Sequence, residues 1–253
     1  MVRAAFAFVF LILSWAGAHA ADPYYIGPAD LDLTKVIAPA PAPDSAITRE
    51  DVRVLLDLQA VRTPEMVAMA NADVARDLSR FSQAAGTDLS AARAPVANAF
   101  FDKVGSDAAA IMALAKTHWR RVRPYLAFPE VKVVVPPEAT FSYPSGHSAF
   151  GIETAILLAQ MLPEKAEALF ARGIQFGFER AIAGVHYPSD VEAGRQAGTA
   201  IIAVMMRSHA FRADFEAARA EVRTLAGLPA ELPQMTAPPL APALPAANPA
   251  PAK

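Results

Sequence analysis

The chain has 253 residues, with 23 basic and 25 acidic side chains and a net charge of −2, which suits one domain of roughly 200 residues with extended ends. No basic run exceeds Arg120-Arg121 with Arg123 beside it, which excludes a nucleic-acid surface or a polybasic membrane patch. Cysteine is absent, so neither a disulfide nor a lipid-modified cysteine holds the protein together or to a membrane.

In chain order, residues 1–20 combine Arg3, an apolar stretch from Ala4 to Trp15 and the small-x-small triplet Ala18-His19-Ala20. That pattern reads as a secretory signal peptide cut after Ala20, and it implies export to the periplasm. No later segment offers the roughly 18 uninterrupted apolar residues of a membrane span. Ala149 to Leu162 is interrupted by Glu153, and Gly198 to Met206 is too short. Stable membrane insertion after cleavage is therefore not expected.

Residues 21–43, with the run IAPAPAP, read as an extended proline-rich arm on the surface or across a partner subunit. Residues 44–227 read as a helical domain. Thr48 and Asp51 predict a capping box ahead of VRVLLDLQAVR. Thr63-Pro64 predicts a helix to about Gln83, stopped near Gly86. Asp88 opens a helix to about Val104, which Gly105-Ser106 separates from another running toward Trp119. Pro124 to Pro144 holds five prolines and the β-type run VKVVV, and reads as a loop with little regular structure. Helical periodicity returns at about 147–162, 163–181, 188–208 and 211–225. Residues 228–253, rich in Pro and Ala, read as a disordered or extended tail.

Three stretches share a chemical theme. In KTHWRRVRP, Lys116 and Arg123 stand about two helical turns apart, near one face. In PSGH, Ser145 and Gly146 suit a helix start, where free N–H groups and the positive dipole end make an anion seat. His147 sits at its lip, able to exchange a proton near neutrality. In RAIAGVHYPSD, His186 and Asp190 are four apart with Pro188 marking a helix start between them. Taken singly, each has an ordinary reading as a solvated helix face, a capped histidine or a surface pair.

Together, Lys-x6-Arg-Pro, Pro-Ser-Gly-His and Arg-x5-His-x3-Asp resemble the three-part signature of the type-2 phosphatidic acid phosphatase superfamily, which also contains the vanadium haloperoxidases. The leader, the proline arm and the segments around the motifs are similar to the soluble class A bacterial non-specific acid phosphatases. The resemblance implies an all-α, single-domain multi-helix bundle with its active site at helix ends and connecting loops. It implies Lys116, Arg123 and Arg180 as cationic phosphate ligands, with the Ser145 hydroxyl and the Gly146 N–H as neutral donors. His186 would be the nucleophile that becomes a phosphohistidine, Asp190 its orienting carboxylate, and His147 the acid that protonates the leaving alcohol.

By the same resemblance, the substrates are small phosphate monoesters, no metal or other cofactor is required, and the assembly is a homodimer or larger. The motifs hold the phosphoryl group and leave the rest of the substrate open. A diphosphate, nucleotide or lipid phosphate phosphatase and a vanadate-dependent haloperoxidase are the alternatives within the superfamily. A silent phosphate-binding protein is another, because Glu179 replaces the serine usual before the arginine here numbered 180. His118 and His209 match no motif and read as structural.

Overall fold

The computed structural model describes residues 22–233. The leader read at 1–20 and most of the tail read at 228–253 lie outside them. The protein is all-α, with no strand among the described residues.

The arm does not simply lie along the surface. Ile26, Leu33 and Ile37 are buried in the main core, and residues 33–35 form one 3-10 turn. The backbone N–H groups of Tyr24, Tyr25 and Ile26 donate to the buried carboxylate of Asp107 at 3.0, 2.7 and 3.1 Å. This chain's own body therefore holds the arm through a charge-assisted cluster.

Helix α1 (Ala46–Val61) is capped by Ser45, whose hydroxyl accepts from the Thr48 N–H. Thr48 and Asp51 thus lie one turn inside the helix and form no capping box; both are buried. Helix α2 (Pro64–Ala72) starts at Thr63 as expected but ends well before Gln83. The chain breaks there because Asp73 is buried as the shared carboxylate of Arg80 and Arg172, a role set by distant partners. A 3-10 turn (Leu78–Phe81) and the short α3 (Ser82–Ala85) follow, closed by Gly86 at φ 70°.

The two helices expected on either side of Gly105 are one, α4 (Pro95–Trp119), begun at Pro95 rather than Asp88. Gly105 continues the helix, its missing side chain leaving open space, because the apolar stripe of Phe101, Val104, Ala108, Ile111, Met112 and Ala115 runs through it unbroken. Burial of such a stripe outweighs the ~1 kcal/mol that glycine costs a helix.

The segment after α4 has one helical turn, α5 (Pro124–Ala127), and the run VKVVV forms no strand. Helix α6 (Gly146–Met161) is buried on nearly every side, as its uniformly apolar sequence requires. Helices α7 (Ala166–Ile182), α8 (Pro188–Met205) and α9 (His209–Leu225) complete the chain. Helix α6 packs chiefly on α7 and α8, and α4 on α9.

Close helix contact depends on glycine. A side chain on Gly173 would strike the Gly151 carbonyl, and one on Gly194 would strike the Ser145 carbonyl. The second contact presses α8 against the start of α6, and so brings two of the motifs together.

Candidate active site

Three chain reversals converge on one place: the end of α4 with its following turn, the start of α6, and the loop from α7 into α8. Ser145 caps α6, its hydroxyl oxygen accepting from the Ser148 N–H at 3.3 Å, while its own N–H donates to the Asp190 carbonyl at 3.0 Å. The Ser145 proton is left to donate elsewhere. Gly146, next in line, opens onto a cavity of about 610 Å³ lined also by Lys116, Glu138, Thr140 and His147.

His186 is fully buried. Its Nδ1 lies 3.2 Å from the Asp190 Oδ2, which can only accept, so that nitrogen carries the proton. Its Nε2 lone pair receives an Arg123 N–H at 3.1 Å. The Asp190 carboxylate is saturated, with Ser142 and the Tyr187 N–H on Oδ2 and Arg121 on Oδ1 at 2.6 Å. Burial works to raise the Asp190 pKa, but His186, Arg121 and Ser142 more than offset it and keep the carboxyl ionised. For His186 burial dominates. Aided by Arg123 and Lys116, it lowers the pKa to about 3 against the pull of Asp190, which keeps the imidazole neutral.

Arg123 is almost wholly buried and donates to the Thr140 and Val185 carbonyls at 2.8 and 3.0 Å and to Glu138 at 2.8 Å. Lys116 donates to the Phe141 carbonyl at 2.6 Å. Burial and then the positive Arg123 lower its pKa to about 8. Arg180, at the end of α7, donates to the Ala70 carbonyl and has a buried Nε without a partner. His147 stacks on Phe176, its Nε2 lies 3.0 Å from the Val74 carbonyl, and burial followed by the nearby Arg180 lowers its pKa to about 4.

Between these groups lies the carboxylate of Glu138, 2.8 Å from Arg123 and 3.6 Å from the His147 Nδ1. His186, Arg123 and His147 overcome the opposing effect of burial and lower its pKa to about 2. An oxyanion therefore already sits between Arg123 and His147, within the electrostatic reach of His186.

All eight residues singled out in the sequence surround this place. Glu179 does not join them: it is buried, turned back toward Gln175 at 3.2 Å, and makes no ion pair with Arg180. Burial raises its pKa. Sequence reasoning missed Glu138, Ser142, Arg121 and Asp51. Arg121 joins Asp190 to Asp51 and lies 3.9 Å from the Tyr187 ring centre, yet in the sequence it is one cation in an ordinary basic run. Asp51, placed where α1 turns inward, was the available signal for a buried partner. Among the described residues no cluster of three His, Asp or Glu side chains is arranged to hold a metal ion. No described helix is long and apolar enough to cross a membrane.

Fold and site together define an all-helical protein whose three motif-bearing chain reversals meet at one histidine-flanked place beside a cavity. Residues 104–214 match the PAP2 superfamily. An acid phosphatase of Zymomonas mobilis is 30% identical over 215 residues, 78% of each chain. The non-specific acid phosphatase of Salmonella typhimurium is 38% identical over 114 residues, 44% of this chain and 46% of that one, so the chain matches about half the length of that relative. A bacterial vanadium-dependent iodoperoxidase shares the fold, with a TM-score of 0.53 at 15% identity over 68% of this chain and 52% of its own. The chain belongs to the PAP2 superfamily.

Proposed function

We propose that the chain is an exported, metal-independent acid phosphatase that hydrolyses phosphate monoesters through a phosphohistidine intermediate. The observation that carries this reading is the neutral His186, fixed at Nδ1 by Asp190, with its Nε2 beside Arg123, whose guanidinium together with His147 already holds a carboxylate. The names of its relatives, acid phosphatases, agree with it.

A phosphate monoester takes the position of the Glu138 carboxylate. Lys116, Arg123 and Arg180 offset its charge, and the Ser145 hydroxyl and Gly146 N–H complete the cradle. Because transfer spreads charge over the equatorial oxygens, these fixed donors act most strongly in the transition state. The Nε2 of His186 attacks phosphorus as the ester P–O bond breaks. His147 gives its proton to the departing alcohol oxygen. Asp190 stabilises the imidazole as it becomes positive. Water then attacks phosphorus, His147 takes its proton, the P–N bond breaks, and phosphate leaves with His186 neutral again.

The dianion itself raises the proton affinity of His147, which is neutral without it, and low pH supplies the proton. Turnover is therefore favoured on the acid side and declines at either extreme. The leader at 1–20 supports periplasmic export, and the family likeness supports a dimer or larger assembly; cell fractionation and light scattering test each.

The decisive experiment is hydrolysis of an aryl phosphate from pH 4 to 8 with chelator present, comparing the chain lacking its leader with His186→Ala. Turnover that survives chelation and vanishes with the substitution is expected, together with a phosphohistidine trapped by acid-free quenching. A folded protein without turnover overturns the proposal.

A further inference from the structure

Helix α6 continues past the phosphate seat along the cavity wall. Gly146, Ala149, Phe150 and Glu153 follow at helical spacing and all line the cavity, opposite Phe101, Ala108 and Met112 of α4. Its volume of about 610 Å³ is far more than a phosphate needs and falls within the usual range for ligand pockets. Beyond His147 the face that α6 turns to the cavity is apolar except at Glu153, the only Asp, Glu, Lys or Arg of that helix, while Arg76, Asp77, Asn98 and Asp102 line the cavity from other elements.

Glu153 is 3% exposed, and its buried Oε1 has no hydrogen-bond partner among the described residues. Arg76, at the cavity wall beside Gly146, makes no hydrogen bond with it, although its positive charge opposes the effect of burial on the carboxyl. A buried carboxyl without a partner opposes folding, and the chain bears that cost on the otherwise apolar face that α6 presents beyond His147. Nothing in the catalytic scheme above uses it.

We propose that Glu153 is the specificity-determining residue for the alcohol portion of the substrate, and that it hydrogen-bonds a hydroxylated, sugar-like ring attached to the phosphate. This inference rests on the phosphatase reading. Glu153 lies two helical turns, about 10 Å, beyond Gly146, and side chains of a helix lean toward its N-terminus. The carboxyl therefore stands back toward the phosphate seat, at about the reach of one phosphorylated six-membered ring. Burial raises the Glu153 pKa to about 8, so at acid pH the group is a neutral carboxyl that both gives and takes a hydrogen bond. A hydroxyl does the same. Phe101, Phe150 and Met112 suit the C–H face of such a ring.

The test compares kcat/KM for glucose 6-phosphate with that for cyclohexylmethyl phosphate, which has the ring without its hydroxyls. The wild-type chain should favour the sugar ester. In Glu153→Ala the preference should fall about tenfold, chiefly through KM of the sugar ester. Glu153→Gln keeps the shape with one donor and one acceptor group, and should restore most of the preference. Equal losses on both esters, or a wild-type preference for the carbocycle, would overturn the inference while leaving the phosphatase intact. Failure on both esters and on an aryl phosphate would overturn the phosphatase reading and this inference with it. Should the alanine variant not fold, the glutamine variant decides alone: a preference lost as fully as the fold permits, with no rescue, counts against hydrogen bonding.

Discussion

His147 shows most directly what burial does to a histidine side chain. Enclosed by Phe176 and Val74 and close to Arg180, it binds its proton only near pH 4. A phosphate dianion placed beside it supplies the opposite charge and favours the imidazolium. Titration of the histidine ring signals by NMR should give His147 a midpoint near 4, rising by more than one pH unit when inorganic phosphate is added. An unchanged midpoint would remove His147 from the phosphate site. Glu138 makes the converse case. Its carboxylate competes for Arg123 and His147, so Glu138→Ala should lower KM for an aryl phosphate by roughly threefold to tenfold. A raised KM would instead mean that Glu138 positions Arg123.

At the scale of elements, the site is held by what joins α1, α4 and α8. Arg121 pairs with Asp190 of α8 at 2.6 Å and with Asp51 of α1 at 3.0 Å, all three buried. Replacing Arg121 by Met leaves two buried carboxylates without their cation and should cost about 3–5 kcal/mol of stability. Denaturant unfolding would measure it, and a loss under 1 kcal/mol would show that other donors satisfy both acids. The α6–α8 contact makes a second case. Gly194→Ala drives a methyl into the Ser145 carbonyl and the Ser148 side chain, and should cost about 1–3 kcal/mol. It should also lower kcat, because the cap that aims Ser145 and Gly146 must shift.

For the molecule as a whole, buried titratable groups set the dependence of stability on pH. In the unfolded chain a histidine binds its proton at about 6.5, whereas folded His147 and His186 do so only at about 4 and about 3. Between these values the unfolded state holds more protons, so stability falls as pH drops below about 6.5. Glu153 acts in the other direction. Its folded pKa of about 8 lies above the ordinary glutamate value, so the folded state holds the extra proton and stability falls as pH rises toward 8. The melting temperature should therefore peak near pH 6 to 7, and Glu153→Gln should flatten the alkaline side and steepen the acid side between about pH 4.5 and 6.5.

The candidate site residues were legible because the motifs that carry the family resemblance are local in the chain. Lys116, Arg123, Ser145, Gly146, His147, Arg180, His186 and Asp190 stand at the offsets of that three-part signature. The apolar periods gave α6 to α9 within a few residues, since burial of one face imposes a repeat wherever it occurs. Tertiary structure alone decided that Gly105 lies inside a helix and that α2 stops at Ala72, because a continuous apolar stripe and the distant partners Arg80 and Arg172 outweigh local signals. It alone decided that Arg121 braces Asp190, that Glu138 meets Arg123 and His147, and that Glu153 stands buried without a hydrogen-bond partner at its Oε1. Each of these depends on which side chains meet across the fold, and a meeting of residues far apart in the chain leaves no mark on the sequence near either one.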